Sequence, residues 1–150
     1  MSSLLDLAER CEKATGPDRQ LDLDIINAIT SKSGWFWHDD RHETISRNDY
    51  GHGAPGNPIC SLDPHTSFID YALELVPEGW QWSVSNRARA PHAGRAYIHN
   101  NELINIGGGM TPNPKYRGAE VTAATPALAL CAAGLRARHS LAAVGAAKQP

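Results

Sequence analysis

From Thr125 to Arg138 the chain reads TPALALCAAGLRAR, and no other stretch limits its fold as strongly. Thr125 offers a hydroxyl to cap a first helical turn. Pro126 has φ already set and lacks the N–H that a first turn leaves unpaired. The residues that follow are small and apolar, so the helix predicted here can pack closely on a sheet. The segment before it supplies that sheet. Trp80 to Asn86, WQWSVSN, alternates apolar with polar residues as a half-buried strand does. Arg95 to His99 is predicted as a second strand, with Asn100-Asn101 as a tight turn. Glu102 to Ile106 is predicted as a third, and Gly107 to Pro114 as a loop.

The first half is helical in pattern. Leu4, Leu5, Ala8 and Cys11 form an apolar stripe at helical spacing, with Ser2 or Ser3 as the cap and Gly16-Pro17 as the stop. Gly16 is expected in the left-handed conformation that follows many helices. Leu21, Ile25, Ala28 and Ile29 form a second stripe, so a short helical hairpin is expected. Trp35-Phe36-Trp37 can begin a strand. HDDRHETISRNDYGHGAPGNP, from His38 to Pro58, is polar and rich in turn formers and is expected to be a long loop. A third helix is predicted after Asp63-Pro64-His65-Thr66, with Phe68, Ile69, Ala72, Leu73 and Val76 on one face. Pro77-Glu78-Gly79 ends it. The fold class is α+β, a layered sandwich of helices packed on a small, mostly antiparallel sheet of three to four strands. One domain is expected over residues 1–141, with 142–150 a frayed tail.

Three blocks resemble a known family. They are Leu7 to Ile25 (LAERCEKATGPDRQLDLDI), Phe68 to Asn86 (FIDYALELVPEGWQWSVSN) and Ala124 to Arg138 (ATPALALCAAGLRAR). They are similar to the phage ABA-sandwich domain family, a group of small phage and prophage proteins. The resemblance implies a layered α/β sandwich and a phage or prophage origin. It carries over no catalytic residue.

A formal net charge of −2 conceals a polarised chain: residues 1–78 hold six basic and fourteen acidic side chains, and residues 79–150 hold eight basic and two acidic. That pattern is unlike a uniformly basic nucleic-acid coat and leaves an anion-binding face open in the second half. No stretch approaches the ~20 apolar residues that span a bilayer. The acidic N-terminal segment lacks the pattern of a signal peptide, and three cysteines without CxxC spacing read as reduced thiols. The expected location is the cytoplasm of an infected bacterial host.

The chemistry-bearing residues are aromatic and basic. Trp35, Trp37, Tyr97 and Tyr116 offer faces on which a base stacks. Arg87, Arg89, Arg95, Lys115 and Arg117 offer charge to phosphates, and His99 lies on the strand between them. Trp80 and Trp82 share a strand face and read most simply as core. The Gly107-Gly108-Gly109 run lacks the GK[ST] ending of a P-loop and reads as a connection. His38 and His42 would share a helix face and ligate zinc if that segment were helical, but no HExxH is present and the flanking residues favour extended structure. His52, His65, His92 and His139 read as surface or capping residues. The order helix–strand–strand–strand–helix from Thr66 to Arg138 matches a double-stranded-RNA-binding domain. The lysine cluster of such a domain is missing at Thr122 to Pro126, so nucleic acid is not the expected partner.

Three functions remain open. The first is a non-catalytic accessory protein that binds a small anionic ligand through Trp35, Trp37, Arg87, Arg89, Arg95, Tyr97, His99, Lys115, Tyr116 and Arg117. Its sharper form is a counter-defence sponge for a cyclic or linear nucleotide signal, without cofactor or metal. The second is a module that inhibits a host defence protein through its acidic half. The third is a metal-dependent nuclease or phosphodiesterase using His38 and His42. A homo-oligomer is expected, because the acidic part of one subunit suits the basic part of another.

Overall fold

Local capping starts the first two helices in the computed structural model, which describes residues 2–30, 34–47, 59–86, 93–99, 103–112 and 120–147, with backbone alone at 103–106, 110–112 and 144–147. Helix α1 (Leu4–Lys13) opens on a capping box: Ser3 Oγ accepts from Asp6 N–H and Asp6 accepts from Ser3 N–H. Helix α2 (Arg19–Ile29) opens on Asp18, which accepts from Leu21 N–H. The chain bends between them through extended backbone at Ala14. Gly16 does not take the left-handed conformation.

Trp35-Phe36-Trp37 is a strand as expected, but the stretch from His38 expected as a long loop contains a second strand among its described residues. Residues 34–61 contain a three-stranded antiparallel sheet of β1 (Trp35–Trp37), β2 (Thr44–Arg47) and β3 (Ile59–Ser61), in the order β1-β2-β3. Asn27 on α2 holds β1: its Oδ1 accepts from Gly34 and Trp35 N–H and its Nδ2 donates to Trp35 O. Ile45 and Ser46 are the buried residues of β2, and Ile45 joins Leu23 and Leu62 in a small core, against which Trp35 and Trp37 pack. Strands of three and four residues are too short to show a periodicity.

The third helix is short. Helix α3 (Ile69–Ala72) passes into a 3-10 turn (Leu73–Leu75), and Ala72 and Leu75 are the residues it buries. Phe68, expected on the packed face, is 58% exposed.

The second sheet has the order β4-β5-β8 and is antiparallel throughout, from β4 (Gln81–Asn86), β5 (Gly94–His99) and β8 (Val121–Ala123). The expected third strand is β6 (Leu103–Ile106), which pairs with β7 (Gly109–Pro112) in a separate hairpin. Its two-residue turn is Gly107-Gly108, with φ of 61° and 88°. Positive φ at both central residues is the turn that matches strand twist and favours glycine. The Gly107–Gly109 run is therefore a hairpin corner flanking a strand.

Helix α4 (Pro126–Ala147) packs on β5, β8, α1 and α3. Leu128, Ala129, Leu130, Cys131, Ala132, Ala133 and Leu135 are all fully buried, so the small residues allow close approach on several sides. Thr125 Oγ1 accepts from Leu128 N–H at 3.2 Å, the expected cap. At Gly134 a Cβ would lie 2.8 Å from Leu75 Cβ, so the 3-10 turn sits hard against this helix. The architecture is α+β, with helices packed on small antiparallel sheets. Among the described residues, no helix is long and apolar enough to cross a membrane.

Polar groups also occupy the interior. Asp22 on α2 is fully buried; Thr66 N–H donates to its Oδ1 at 2.8 Å and Arg19 Nη1 to its Oδ2 at 2.9 Å. Burial pushes the Asp22 carboxyl above its ordinary value of 3.8, against the opposing pull of Thr66 and Arg19. A raised native value means that the folded chain holds this proton more tightly than the unfolded chain. The contribution is complete below pH 3.8 and is lost as pH rises through the native value. The melting-temperature advantage of the native protein over Asp22→Asn is therefore expected to be larger near about pH 4 than near about pH 7. An advantage that grows with pH would mean that Thr66 and Arg19 more than offset burial.

Candidate functional site

Strand parity decides which side chains of the second sheet meet α4. Gly94, Ala96 and Ile98 are buried against it, so Arg95, Tyr97 and His99 point to the opposite face. Register then adds their neighbours. Ser85 lies opposite Arg95, Ser83 opposite Tyr97 and Gln81 opposite His99 on β4, and Thr122 lies opposite Arg95 on β8. The outer face of the sheet is thus wholly polar and aromatic, where an antiparallel sheet with one covered face is free to meet solvent.

Ser83, Ser85, Arg95, Tyr97 and Glu120 line a depression of about 400 Å3 on this face. Arg95 Nε is paired with a Glu120 carboxylate oxygen, and both side chains are partly exposed. The Tyr97 and His99 rings are 5.3 Å apart between centroids, inclined at 44°. Chemically, the face offers two serine hydroxyls and a phenol as hydrogen-bond partners, a guanidinium fork, and two ring surfaces. Its described charge is balanced, so an anion arriving at Arg95 competes with Glu120.

The structure brings three of the ten expected ligand-binding residues together here: Arg95, Tyr97 and His99. Arg87 and Arg89, in the connection from β4 to β5, lie outside the described residues, as do Lys115, Tyr116 and Arg117, which precede β8. Trp35 and Trp37 belong to the other sheet and have partners of their own. Arg47 lies 4.8 Å over the Trp35 ring, Trp37 stacks on His42 at 4.4 Å, and Trp37 Nε1–H donates to Gln20. Trp80 is partly buried against the main core. Trp82 opposes the buried Ile98 across the ladder yet is 46% exposed, because β4 is the edge strand of this sheet.

His38 and His42 do not share a helix. They lie at the corner between β1 and β2, where His42 has φ of 56°. Asp39 turns that corner: its Oδ1 accepts from Glu43 and Thr44 N–H, and the Thr44 bond most of all holds its carboxyl below the ordinary range. His65, expected at the surface, is fully buried. Nothing in its local sequence distinguishes a buried histidine from a capping one.

A second depression of about 360 Å3 is lined by Leu4, Ala28, Ile29, Pro77, Glu78, Arg138 and Leu141. Arg138 already donates from Nε to Leu75 O and from Nη2 to Glu74 O. This hollow is mainly aliphatic, and its cation is committed to the 3-10 turn. No protein-family model, curated protein or solved structure matches the chain.

Proposed function

We propose that the protein is a non-catalytic binder of a small anionic ligand that carries an aromatic ring, a nucleotide by class. The ligand lies on the outer face of the β4-β5-β8 sheet. The observation that carries this reading is the convergence of Arg95, Tyr97 and His99 with Ser83 and Ser85 on one sheet face, the one turned away from α4. Rings supply stacking for a base, and the guanidinium and hydroxyls supply donors for phosphate oxygens. Arg87 and Arg89 follow β4 in sequence, and Lys115 and Arg117 precede β8. These four stay in the proposed binding set on their sequence positions beside the strands. With the phage-family resemblance, the role that fits is a counter-defence sponge that holds a bacterial nucleotide signal out of circulation.

A panel of cyclic and linear nucleotides tests this. At least one is expected to raise the melting temperature of the protein, and heat denaturation is expected to release it unchanged. A shortened product would convert the reading to an enzyme. No shift with any nucleotide would remove nucleotides as the ligand class.

A further inference from the structure

The loop between β3 and α3, together with the 3-10 turn that follows α3, carries a second group of chemistry-bearing side chains, none of which lies on the sheet face. Asp63, His65 and Glu74 bring one ligand atom each to within 4.8 Å of one another. His65 is fully buried, while Asp63 is partly exposed and the Glu74 side chain is 49% exposed.

The hydrogen bonds of His65 define what its ring can accept. Nδ1 lies 3.1 Å from the backbone carbonyl of Asp63. A carbonyl only accepts, so Nδ1 carries a hydrogen. Nε2 lies 3.1 Å from Glu74 Oε2. With Nδ1 protonated, a neutral ring turns its Nε2 lone pair toward a carboxylate that also has only lone pairs. A positive charge between them makes that contact favourable, either a second ring proton or a metal ion.

We propose that a divalent transition-metal ion of the zinc class binds here, held by His65 Nε2 and the carboxylates of Asp63 and Glu74. A ring whose other nitrogen donates to a backbone carbonyl is the usual arrangement of a metal-binding histidine, because it fixes both tautomer and orientation. One imidazole and two carboxylates match the harder side of zinc chemistry. Metal–ligand bonds near ~2.1 Å place neighbouring tetrahedral ligands about 3.4 Å apart. The His65–Glu74 separation of 3.1 Å is already close to that. The remaining closure, from 4.8 Å, falls to the two exposed carboxylates, whose side chains can rotate.

The histidine itself need not move. Cys131 Sγ–H donates to its carbonyl at 3.2 Å, and Thr66 N–H is held by the buried Asp22. Three protein ligands leave a fourth tetrahedral position for water on the exposed side. The ion joins the loop before α3 to the 3-10 turn, whose carbonyls Arg138 grips from α4.

Chelator-treated protein is titrated with Co2+ by visible absorption and with Zn2+ by calorimetry. One ion per chain is expected, with a tetrahedral cobalt spectrum that zinc displaces. Asp63→Asn and Glu74→Gln are each expected to weaken binding at least about tenfold, a loss common even for groups that only support a metal ligand. Both variants act at exposed side chains, so their metal-free melting temperatures check that the fold is retained. Absence of saturable binding to the native protein would overturn the proposal and leave the His65–Glu74 contact as an ordinary hydrogen bond. Unchanged binding in both folded variants would overturn it as well, because the ion would then sit elsewhere.

Discussion

Alanine at Gly94 is expected to leave little folded protein. A Cβ at that position meets the carbonyl carbon and oxygen of Thr125 and the nitrogen of Pro126, all of them backbone atoms and far inside contact distance. Neither residue can retreat cheaply. Thr125 caps α4 through Leu128 N–H, and its carbonyl accepts from Ala129 N–H at 3.0 Å. The turn of α4 that follows is buried from Ala127 to Leu135. Overpacking a core with flexible side chains costs typically 1–3 kcal/mol. Backbone against backbone is expected to cost more than about 3 kcal/mol, from a total of roughly 5–15 kcal/mol. Urea denaturation measures it, with Gly109→Ala as the control, since a Cβ there meets nothing within 4 Å. Equal midpoints for the two variants would mean that β5 and the start of α4 do not touch as described.

The second large effect concerns the sheet face. Removing the Tyr97 ring takes away a stacking surface worth about 1–3 kcal/mol per base, so Tyr97→Ala is expected to weaken nucleotide binding by about five- to 150-fold. Arg95→Ala removes a charge-assisted donor worth about 1.5–3 kcal/mol, a loss of roughly ten- to 150-fold. Glu120→Gln has the opposite sign: it frees Arg95 from its carboxylate partner and removes a like charge from the path of the anion, so affinity is expected to rise. The opposed signs separate binding from scaffolding. If the Arg95–Glu120 pair were only structural, both substitutions would weaken the protein alike. Trp37→Ala is a control on the other sheet, expected to lower stability through loss of its His42 stack and Gln20 bond while leaving affinity unchanged. Titration calorimetry of the four variants with the most stabilising nucleotide reads all of these.

How much of this was legible depends on the range of the interaction. Ser3 and Thr125-Pro126 act within one helical turn, so these two caps could be read from residue order, whereas the cap of α2 is Asp18 and Pro17 lies before it. Arg95 to His99 is legible as a strand, but which face Arg95, Tyr97 and His99 share is set by the helix that buries Ala96 and Ile98, a contact from elsewhere in the chain. Of the β1-β2-β3 sheet only the Trp35-Phe36-Trp37 strand was legible, because β2 and β3 are short and their surroundings depend on Asn27, on Arg19, which donates to His42 O and Leu62 O, and on Leu23 packing against Ile45. Gly107-Gly108 followed a candidate strand, but with Gly107 to Pro114 rich in glycine and proline nothing marked a partner strand after it, so the hairpin read as a loop. Val121 to Ala123 is too short to announce a strand, so the third member of the sheet was assigned to β6 instead. Asp22, His65 and Thr66 gave no sign of burial. Each is polar, and what buries them is a network assembled from α2, the loop before α3, and α4. The Cys131 thiol differs: it sits in the small, apolar run expected to pack closely, it is buried, and it is pushed well above its ordinary range first by the neighbouring Cys11 thiol and then by burial.

The central claim is a location, the outer face of the β4-β5-β8 sheet. Amide chemical-shift mapping during titration with the most stabilising nucleotide tests it most directly. The account expects the largest shifts at Ser83, Ser85, Arg95, Tyr97, His99 and Thr122, with Trp35 to Arg47 unmoved. Shifts gathered on the β1-β2-β3 sheet, with the β5 amides unchanged, would contradict it.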